Sequence, residues 1–487
     1  MNLTKFFIDQ HGCAKNQTDG ELIVGYLVKE GFSYTQDPDQ ADFIIVNSCG
    51  FIASAKKESI DAVYSIKNQY PNAKIIMTGC LAQRYAQMLY DSMPELDGIF
   101  GNGDLSEIVK FMHSLEKEGR SVKLSKQEGV CGGERPLLFN FPGSAYVKVT
   151  EGCSNHCSFC AIPLIRGELR SRPVTEVIKE IKALVSSGVY EINLIGQDLA
   201  AYGTEESYVC QLPEGSRGLI GHSGLAQLLA EISKLEGDFI VRILYIHPDH
   251  FNADILPVMK KDKRFLPYFD IPFQSGDDQI ILSMNRTGSA QNYKDLVSTI
   301  RQEFPQAVLR TTFLTGFPGE SDQSAKNTCE FLREIKPDWS GCFPYSREED
   351  TPSYDFKHRV SEKLAKKRAE ELEKIQSEIT VKNLEKYIGK DYNVLIEEVI
   401  EPASDNGDSD STESEGLAIG RAWFQAPDVD GAVVIRYDLE EKDQVDAIKA
   451  GNIVSVRILA STGLDLDGRF IKLVKVSKQN SNLRFIY

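Results

Sequence analysis

Residues 150–167 read TEGCSNHCSFCAIPLIRG, with Cys153, Cys157 and Cys160 spaced C-x3-C-x2-C directly behind the apolar run AYVKV. An apolar run ending in glycine and polar residues predicts a β-strand, so the three thiols sit on one short loop at a strand's carboxyl end. Such a loop can wrap three thiolates around a 4Fe–4S cluster. The cluster has four irons, so three protein ligands leave one open, as a catalytic metal site leaves a position for substrate. An open iron can take the amine and carboxylate of S-adenosylmethionine and bring its sulfonium within reach of an electron. The alternative for the same residues is a zinc site completed by His156 or a remote ligand. It is the weaker reading, because zinc sites usually pair C-x2-C units and only one is present.

Downstream, YEINLIGQD, FIVRILYIHPD, YFDIPFQSG, AVLRTTFLTGFPGE and WSGCFPYS are further apolar runs that end in polar or glycine-rich residues. With the first they make six strand–helix units, which predict an α/β domain over residues 140–380 built as an open, partial (β/α)6 barrel. Barrels of this kind carry their chemistry on loops at the strand carboxyl ends. The stretch from Thr204 to His222 reads as a surface insertion. SEKLAKKRAEELEKIQSEITVKNLEKY then predicts a helix leading out of the barrel, its alternating charges marking mostly a solvated face.

Upstream, one pattern recurs three times: an apolar run, a cysteine in a short loop, an amphipathic helix. KFFIDQHGC leads to Cys13, ADFIIVNSC to Cys49 and AKIIMTGC to Cys80. Parallel strands need helical crossovers, so the alternation predicts a doubly wound parallel sheet over residues 1–135. The strand carboxyl ends of such a sheet share one edge, where ligands bind, and the three cysteines would converge there as metal ligands. Three cysteines at equivalent strand ends are hard to explain as packing. GIFGNGD, around Asp104, predicts a further strand end, and SVKLSKQEGVCGGERP a linker.

From residue 385 to 487 the pattern changes to short alternating strands, DYNVLIEEVI, AVVIRYD, NIVSVRIL and RFIKLVKV, which predict a small β-barrel. SDNGDSDSTESEG within it is an acidic low-complexity loop expected to be disordered. Neither a signal peptide nor an apolar stretch long enough to cross a membrane is present, so a cytoplasmic location is expected. Four of the ten cysteines, Cys131, Cys210, Cys329 and Cys342, lack a partner at ligand spacing and read as ordinary thiols. A formal charge of −16 disfavours non-specific attraction to a phosphate backbone and suits a basic partner.

The run C-x3-C-x-aromatic-C behind a first barrel strand, with Phe159 before Cys160, resembles the radical S-adenosylmethionine (radical SAM) superfamily. The three-part chain as a whole resembles its methylthiotransferase branch, whose third part is a TRAM barrel. Cys13 in HGCAKNQTD, Cys49 in VNSCGFI and Cys80 in TGCLAQRY match that family's auxiliary-cluster ligands. The resemblance therefore implies two 4Fe–4S clusters, with Cys153, Cys157 and Cys160 as the catalytic set. LIGQDLAAYG, with Gly196 and Gln197, and LRTTFLTGFPGES, with Arg310, Thr312 and Gly316, are similar to family strands beside the bound cofactor. Leu199 departs from the commoner family wording QDT. Phe159, and Gln274 and Ser275 in IPFQSGDDQ, are further cofactor-binding candidates. The implied reaction methylates a sulfur held at the auxiliary cluster, cleaves a second S-adenosylmethionine to a 5'-deoxyadenosyl radical, removes hydrogen from a substrate carbon and delivers a methylthio group. A reductant such as flavodoxin or ferredoxin is implied as well; the sulfur donor is not.

The branch divides between enzymes acting on an adenosine of transfer RNA and enzymes acting on an aspartate of ribosomal protein S-twelve. VNSCGFI, GCLAQRY, FDIP, RGELRSRP and GRAWFQAPDVDGAVVI resemble the latter, RimO-type group, whereas QSG in QSGDDQIILSMNR is closer to the transfer RNA enzymes. From Asp391 onward 18 acidic residues face 10 basic ones, the wrong sign for gripping RNA and the right one for a basic ribosomal protein of the small subunit. A non-catalytic iron–sulfur scaffold or electron carrier is the reading from a different class.

Overall fold

The computed structural model describes residues 3–205, 223–400, 415–477 and 483–486. Most of the expected surface insertion, Cys210 with it, and nearly all of the acidic loop lie outside them.

Strands β1 (Lys5–Gln10), β2 (Ser33–Tyr34), β3 (Phe43–Ser48), β4 (Lys74–Thr78), β5 (Gly98–Phe100) and β6 (Ser121–Lys123) form one sheet in the order β2-β1-β3-β4-β5-β6. Every neighbouring pair is parallel. All six residues of β3, FIIVNS, are buried, as a strand covered on both faces requires. Helices α1 (Ala14–Lys29) and α4 (Ile108–Glu118) pack on one face around Phe6, Ile8 and Phe100. The other face, covered by α2 (Ala53–Gln69) and α3 (Gly79–Ser92), packs around Ile44, Val46 and Met77. The doubly wound sheet is as expected, with one correction: Ser121–Lys123, read as the start of a linker, is its sixth strand.

A short strand β7 (Leu137–Leu138) crosses to the second domain. There β8 (Ser144–Lys148) opens a parallel sheet and is followed by a two-stranded antiparallel ladder, β9 (Thr150–Glu151) with β10 (Arg170–Ser171). Strands β11 (Glu191–Ile195), β12 (Ile240–Ile243), β13 (Phe265–Asp270), β14 (Val308–Thr315) and β15 (Trp339–Pro344) complete the sheet in the order β15-β14-β13-β12-β11-β8, the open six-stranded barrel. The helix Glu362–Leu384, capped by Ser361, is less solvated than its charges suggest: Ala365, Ala369, Leu372 and Ile375 are buried, the last three within the barrel's outer core.

The third domain is a closed barrel of β16 (Asp391–Ile400), β17 (Glu415–Ala422), β18 (Val433–Asp438), β19 (Ile453–Thr462) and β20 (Asp465–Lys475). Its strand β17, EGLAIGRA, was missing from the four expected, because two glycines and an adjoining acidic tract mask the strand pattern. Near the chain's end, β21 (Arg484–Phe485) pairs in parallel with β7. No helix among the described residues is long and apolar enough to cross a membrane.

The segment 421–430 of the third domain plugs into the open barrel, where Phe424 and Ala426 join Tyr146, Tyr268 and Trp339 in one core. Buried polar contacts fix it. Arg421 and Arg242 both bind Glu191, at 2.7 and 2.9 Å, and the hydroxyls of Tyr146 and Tyr268 donate to Asp428 and Asp430, at 2.8 and 2.6 Å. Burial pushes the Asp430 carboxyl up to about 6, although Arg310, the Ala426 amide and the Tyr268 hydroxyl favour its charged form. A carboxyl raised on folding binds its proton more tightly in the native state, so its contribution is greatest below about pH 4 and is lost as pH rises through 6. Between pH 4 and pH 7 the native protein should therefore lose about 2 kcal/mol relative to Asp430→Asn. Denaturant titration at the two pH values checks this; an unchanging difference would contradict it.

Candidate active site

Cys13 is the residue before α1, Cys49 follows β3, and Cys80 lies in the first turn of α3 directly behind β4. Strands β1, β3 and β4 are neighbours in the sheet, so the three loops meet at one edge. Asn16 ties them together: its side-chain amide donates to the carbonyls of His11, Asn47 and Ser48, at 2.8, 3.2 and 3.1 Å. Burial pushes the Cys49 thiol up to about 12, with Cys80 and Cys13 adding repulsion. Burial raises Cys80 too, against the pull of Arg166. For Cys13 the burial effect is outweighed by Lys15, Arg166 and the amides of Asn16 and Lys15, which together hold the thiol below its ordinary value. Cys13 itself is exposed to solvent.

The second set is held by the loop between β9 and β10. The Cys153 amide donates to the Gly167 carbonyl and the Cys160 amide to the Cys157 carbonyl, both at 3.0 Å, and the ladder clamps the loop's ends. Burial pushes Cys153 and Cys160 up to about 12, with Cys157 adding repulsion at each. The Cys157 sulfur lies 3.8 Å from Nε2 of His247, a ring that burial, reinforced by Arg286, holds down to about 3 and therefore neutral at pH 7. Cys153 borders a cavity of about 630 Å³, together with Asn155, Asp198 and His250. Thr204 and Ser223, which flank the residues outside the description, line the same cavity.

The two sets are neighbours across the domain boundary. Cys80 packs against Ala161 and Ile165, on the loop and short helix α5 (Ile162–Arg166) that follow Cys160. Arg166 at the end of α5 reaches across to donate to the Cys80 sulfur at 3.4 Å and to Asp19 at 2.9 Å, while holding Glu151 in its own domain at 2.7 Å. Lys148 pairs with the same two carboxylates, Asp19 and Glu151. These four charged side chains are nearly solvent-free, so each depends on the others for its compensation. A second contact joins the domains where Glu348 behind β15 binds Lys56 at 2.6 Å and Arg84 at 2.7 Å, and Arg84 also donates to the Gly50 carbonyl beside Cys49 at 3.3 Å.

The donors fit clusters in their chemistry: two sets of three converging thiols, one faced by the cations Lys15 and Arg166, which offset thiolate charge. Among the described residues no three His, Cys, Asp or Glu side chains are gathered closely enough to chelate a single metal ion. Buried oxygens of Gln197 and Thr150 have no hydrogen-bond partner among the described residues, so polar acceptors remain at the carboxyl edge of the first two barrel strands.

The other expected contacts divide. Gln197 donates its amide to Glu151 at 3.2 Å, the carboxylate that Arg166 also holds. A side chain at Gly196 would run into Thr150. Gly316, at φ +74°, turns the chain beneath the exit helix, where a β-carbon would stand 2.3 Å from that of Ala365. Arg310 is committed to Asp270 at 3.1 Å and Asp430 at 3.5 Å. Ser275 caps the turn at Asp277 and meets Thr328. Gln274, at φ +70°, bonds through its backbone to Thr312 and Leu314. Phe159 packs against Ile280, Met284 and Phe317. Of the four ordinary thiols, Cys329 and Cys342 are core residues, and Cys131 accepts from the Leu105 amide. Sequence reasoning missed Lys15, Asp19, Lys148, Glu151, Arg166 and His247. The one available signal was Lys15 and Asp19 four apart on α1, charges on a single helix face beside Cys13.

Residues 5–101 match the model of uncharacterized protein family UPF0004, residues 147–332 the radical SAM superfamily and residues 388–471 the TRAM domain. Among solved structures, the radical S-adenosylmethionine methyltransferase TsrM from Kitasatospora setae shares the fold, with a TM-score of 0.51 and 10% identity over 72% of this chain and 75% of that one. Fold and site thus define a radical SAM protein, and with that class come an iron–sulfur cluster and S-adenosylmethionine. A Treponema denticola protein named ribosomal protein uS12 methylthiotransferase RimO is 52% identical over 94% of this chain and 99% of its own length. A Clostridioides difficile protein of the same name is 36% identical over 96% and 98%. The chain belongs to the RimO family of radical SAM methylthiotransferases, and is a transferase.

Proposed function

We propose that the protein adds a methylthio group to the β-carbon of an aspartate of ribosomal protein uS12, in the cytoplasm. The observation that carries this reading is the adjacency of the two cysteine sets, joined through Arg166 and Cys80. One set suffices to make a radical; a second beside it suits a sulfur to be transferred to the carbon the radical creates. The choice of uS12 draws on the names of the relatives and on the acidic third domain, which favours a basic protein over RNA.

Cys153, Cys157 and Cys160 would hold one 4Fe–4S cluster, and Cys13, Cys49 and Cys80 a second. When bound, these groups supply an electron and a sulfur, and S-adenosylmethionine supplies a methyl group and a carbon radical. The chain's own part is to orient: the β9–β10 ladder holds the catalytic loop, and Arg166 and Lys148 join the two domains beside the cysteine sets. We take Gln197 as a contact to the cofactor, because its buried oxygen has no partner among the described residues. A flavodoxin or ferredoxin would supply electrons.

Mass spectrometry of uS12 and transfer RNA from a deletion strain tests the reading. The expected result is loss of the methylthio group from uS12 with transfer RNA unchanged. Loss from transfer RNA alone would overturn it, and no loss from either would favour an electron carrier.

A further inference from the structure

Lys15 stands apart from every other cation at the domain boundary. Arg166 and Lys148 each hold Asp19 and Glu151, and Arg310 holds Asp270. Arg135 and Arg172, further along the junction, share Glu180. Lys15 is only 8% exposed, yet among the described residues no carboxylate lies within 4 Å of its ammonium and no hydrogen-bond acceptor meets it. Its one recorded partner is the ring of Tyr245, whose centroid lies 3.2 Å away across the boundary. A ring face recovers part of what an ammonium loses on leaving water, but does not replace a counter-ion. Tyr245 follows β12 at φ +63°, a conformation costly for an aromatic residue, and Asp270 accepts its amide at 3.0 Å, which holds the ring in place.

The position narrows the missing anion. Lys15 is two residues from Cys13, the residue that caps α1, and the Tyr245 ring it meets stands on the barrel side of the boundary, so the ammonium lies beside the sulfur-bearing set where the two domains face each other. It also lies in the first turn of the 16-residue helix α1, where the helix dipole adds positive potential. We propose that Lys15 is the specificity-determining cation of the reaction, receiving the carboxylate of the side chain to be modified and setting its β-carbon beside the sulfur to be transferred. This deepens the uS12 reading and rests on it. A methionyl carboxylate of S-adenosylmethionine has the same chemistry, but its site is assigned to the other cysteine set.

The test uses the full-length protein, loaded with iron and sulfide, and two probes: recombinant uS12, and uS12 with its target aspartate changed to asparagine. The wild type should bind the aspartate form roughly 30-fold more tightly, the size of a close interfacial charge pair. Lys15→Met should bring the preference below about threefold, while Lys15→Arg, which keeps the charge, should retain most of it. A Lys15→Met protein that still prefers aspartate as the wild type does overturns the proposal. So does retained preference with weakened S-adenosylmethionine binding, which assigns the ammonium to the methionyl carboxylate, or retained preference with an altered electron paramagnetic resonance signal, which assigns it to the cluster. A wild type that ignores uS12 and modifies transfer RNA would instead refute the uS12 reading, and Lys15's role would fall with it.

Discussion

Cys157→Ser should stop formation of 5'-deoxyadenosine, by roughly three orders of magnitude or more, whereas Cys80→Ser should leave it measurable and stop methylthio transfer. The expectation follows from where the two sulfurs lie. Cys157 sits within the β9–β10 loop beside a neutral His247, with two further thiols that burial pushes up to about 12. Serine keeps the shape there but not the ligand: its hydroxyl is far harder to ionise than a thiol, and thiolate is the form that binds iron. Ligands of one cluster act as a unit, so Cys153→Ser combined with Cys157→Ser should be no worse than either alone. Cys80 lies across the boundary, behind β4, and its loss leaves the catalytic loop intact. Iron content should fall by about half in each variant. Cleavage that persists in Cys157→Ser, or disappears in Cys80→Ser with the other set still loaded, would contradict the division of labour.

Arg166→Leu should cost about 3–5 kcal/mol of stability, because it removes one of two cations from a buried group of four charges and leaves Asp19 and Glu151 with Lys148 alone. A hydrogen bond to the Cys80 sulfur goes with it, and loss of such an outer contact typically weakens metal binding 10- to 100-fold, so iron should leave the first domain's set more readily under a chelator. Arg166→Lys should rescue little. A single ammonium cannot reproduce the fork that spans Asp19, Glu151 and Cys80. Denaturant titration and timed chelation measure both effects. An unchanged midpoint and an unchanged rate would show that the charges are solvated after all.

What the sequence discloses here depends on whether a relation is local. Cys153, Cys157 and Cys160 are bound together by a spacing of a few residues, and the structure keeps them on one loop. Cys13, Cys49 and Cys80 are far apart, but the strand–helix rhythm alone puts strand ends on a common edge, so their convergence could be inferred. Arg166 is different. Its partners Asp19 and Glu151 lie 147 and 15 residues away, on elements that meet only where the two domains pack together. The same limit applies to Arg310 and Gly316, taken from a resemblance to family strands, and to Ser275, taken from a strand end: their neighbours Asp270, Ala365 and Thr328 are not legible from the sequence around them. Strand β17 was lost for a local reason, glycines that serve barrel packing at the expense of strand pattern.

Arg166 belongs by sequence to the loop of one cysteine set and by contact to the other. A single charge answerable to both sites makes their filling interdependent. Whatever loading of one does to the affinity of the other, the second must do to the first by the same factor, since the free energy of the filled protein is independent of the order of filling. Iron uptake should therefore follow a curve that two independent sites cannot reproduce, and Arg166→Leu should bring that curve closer to a simple sum.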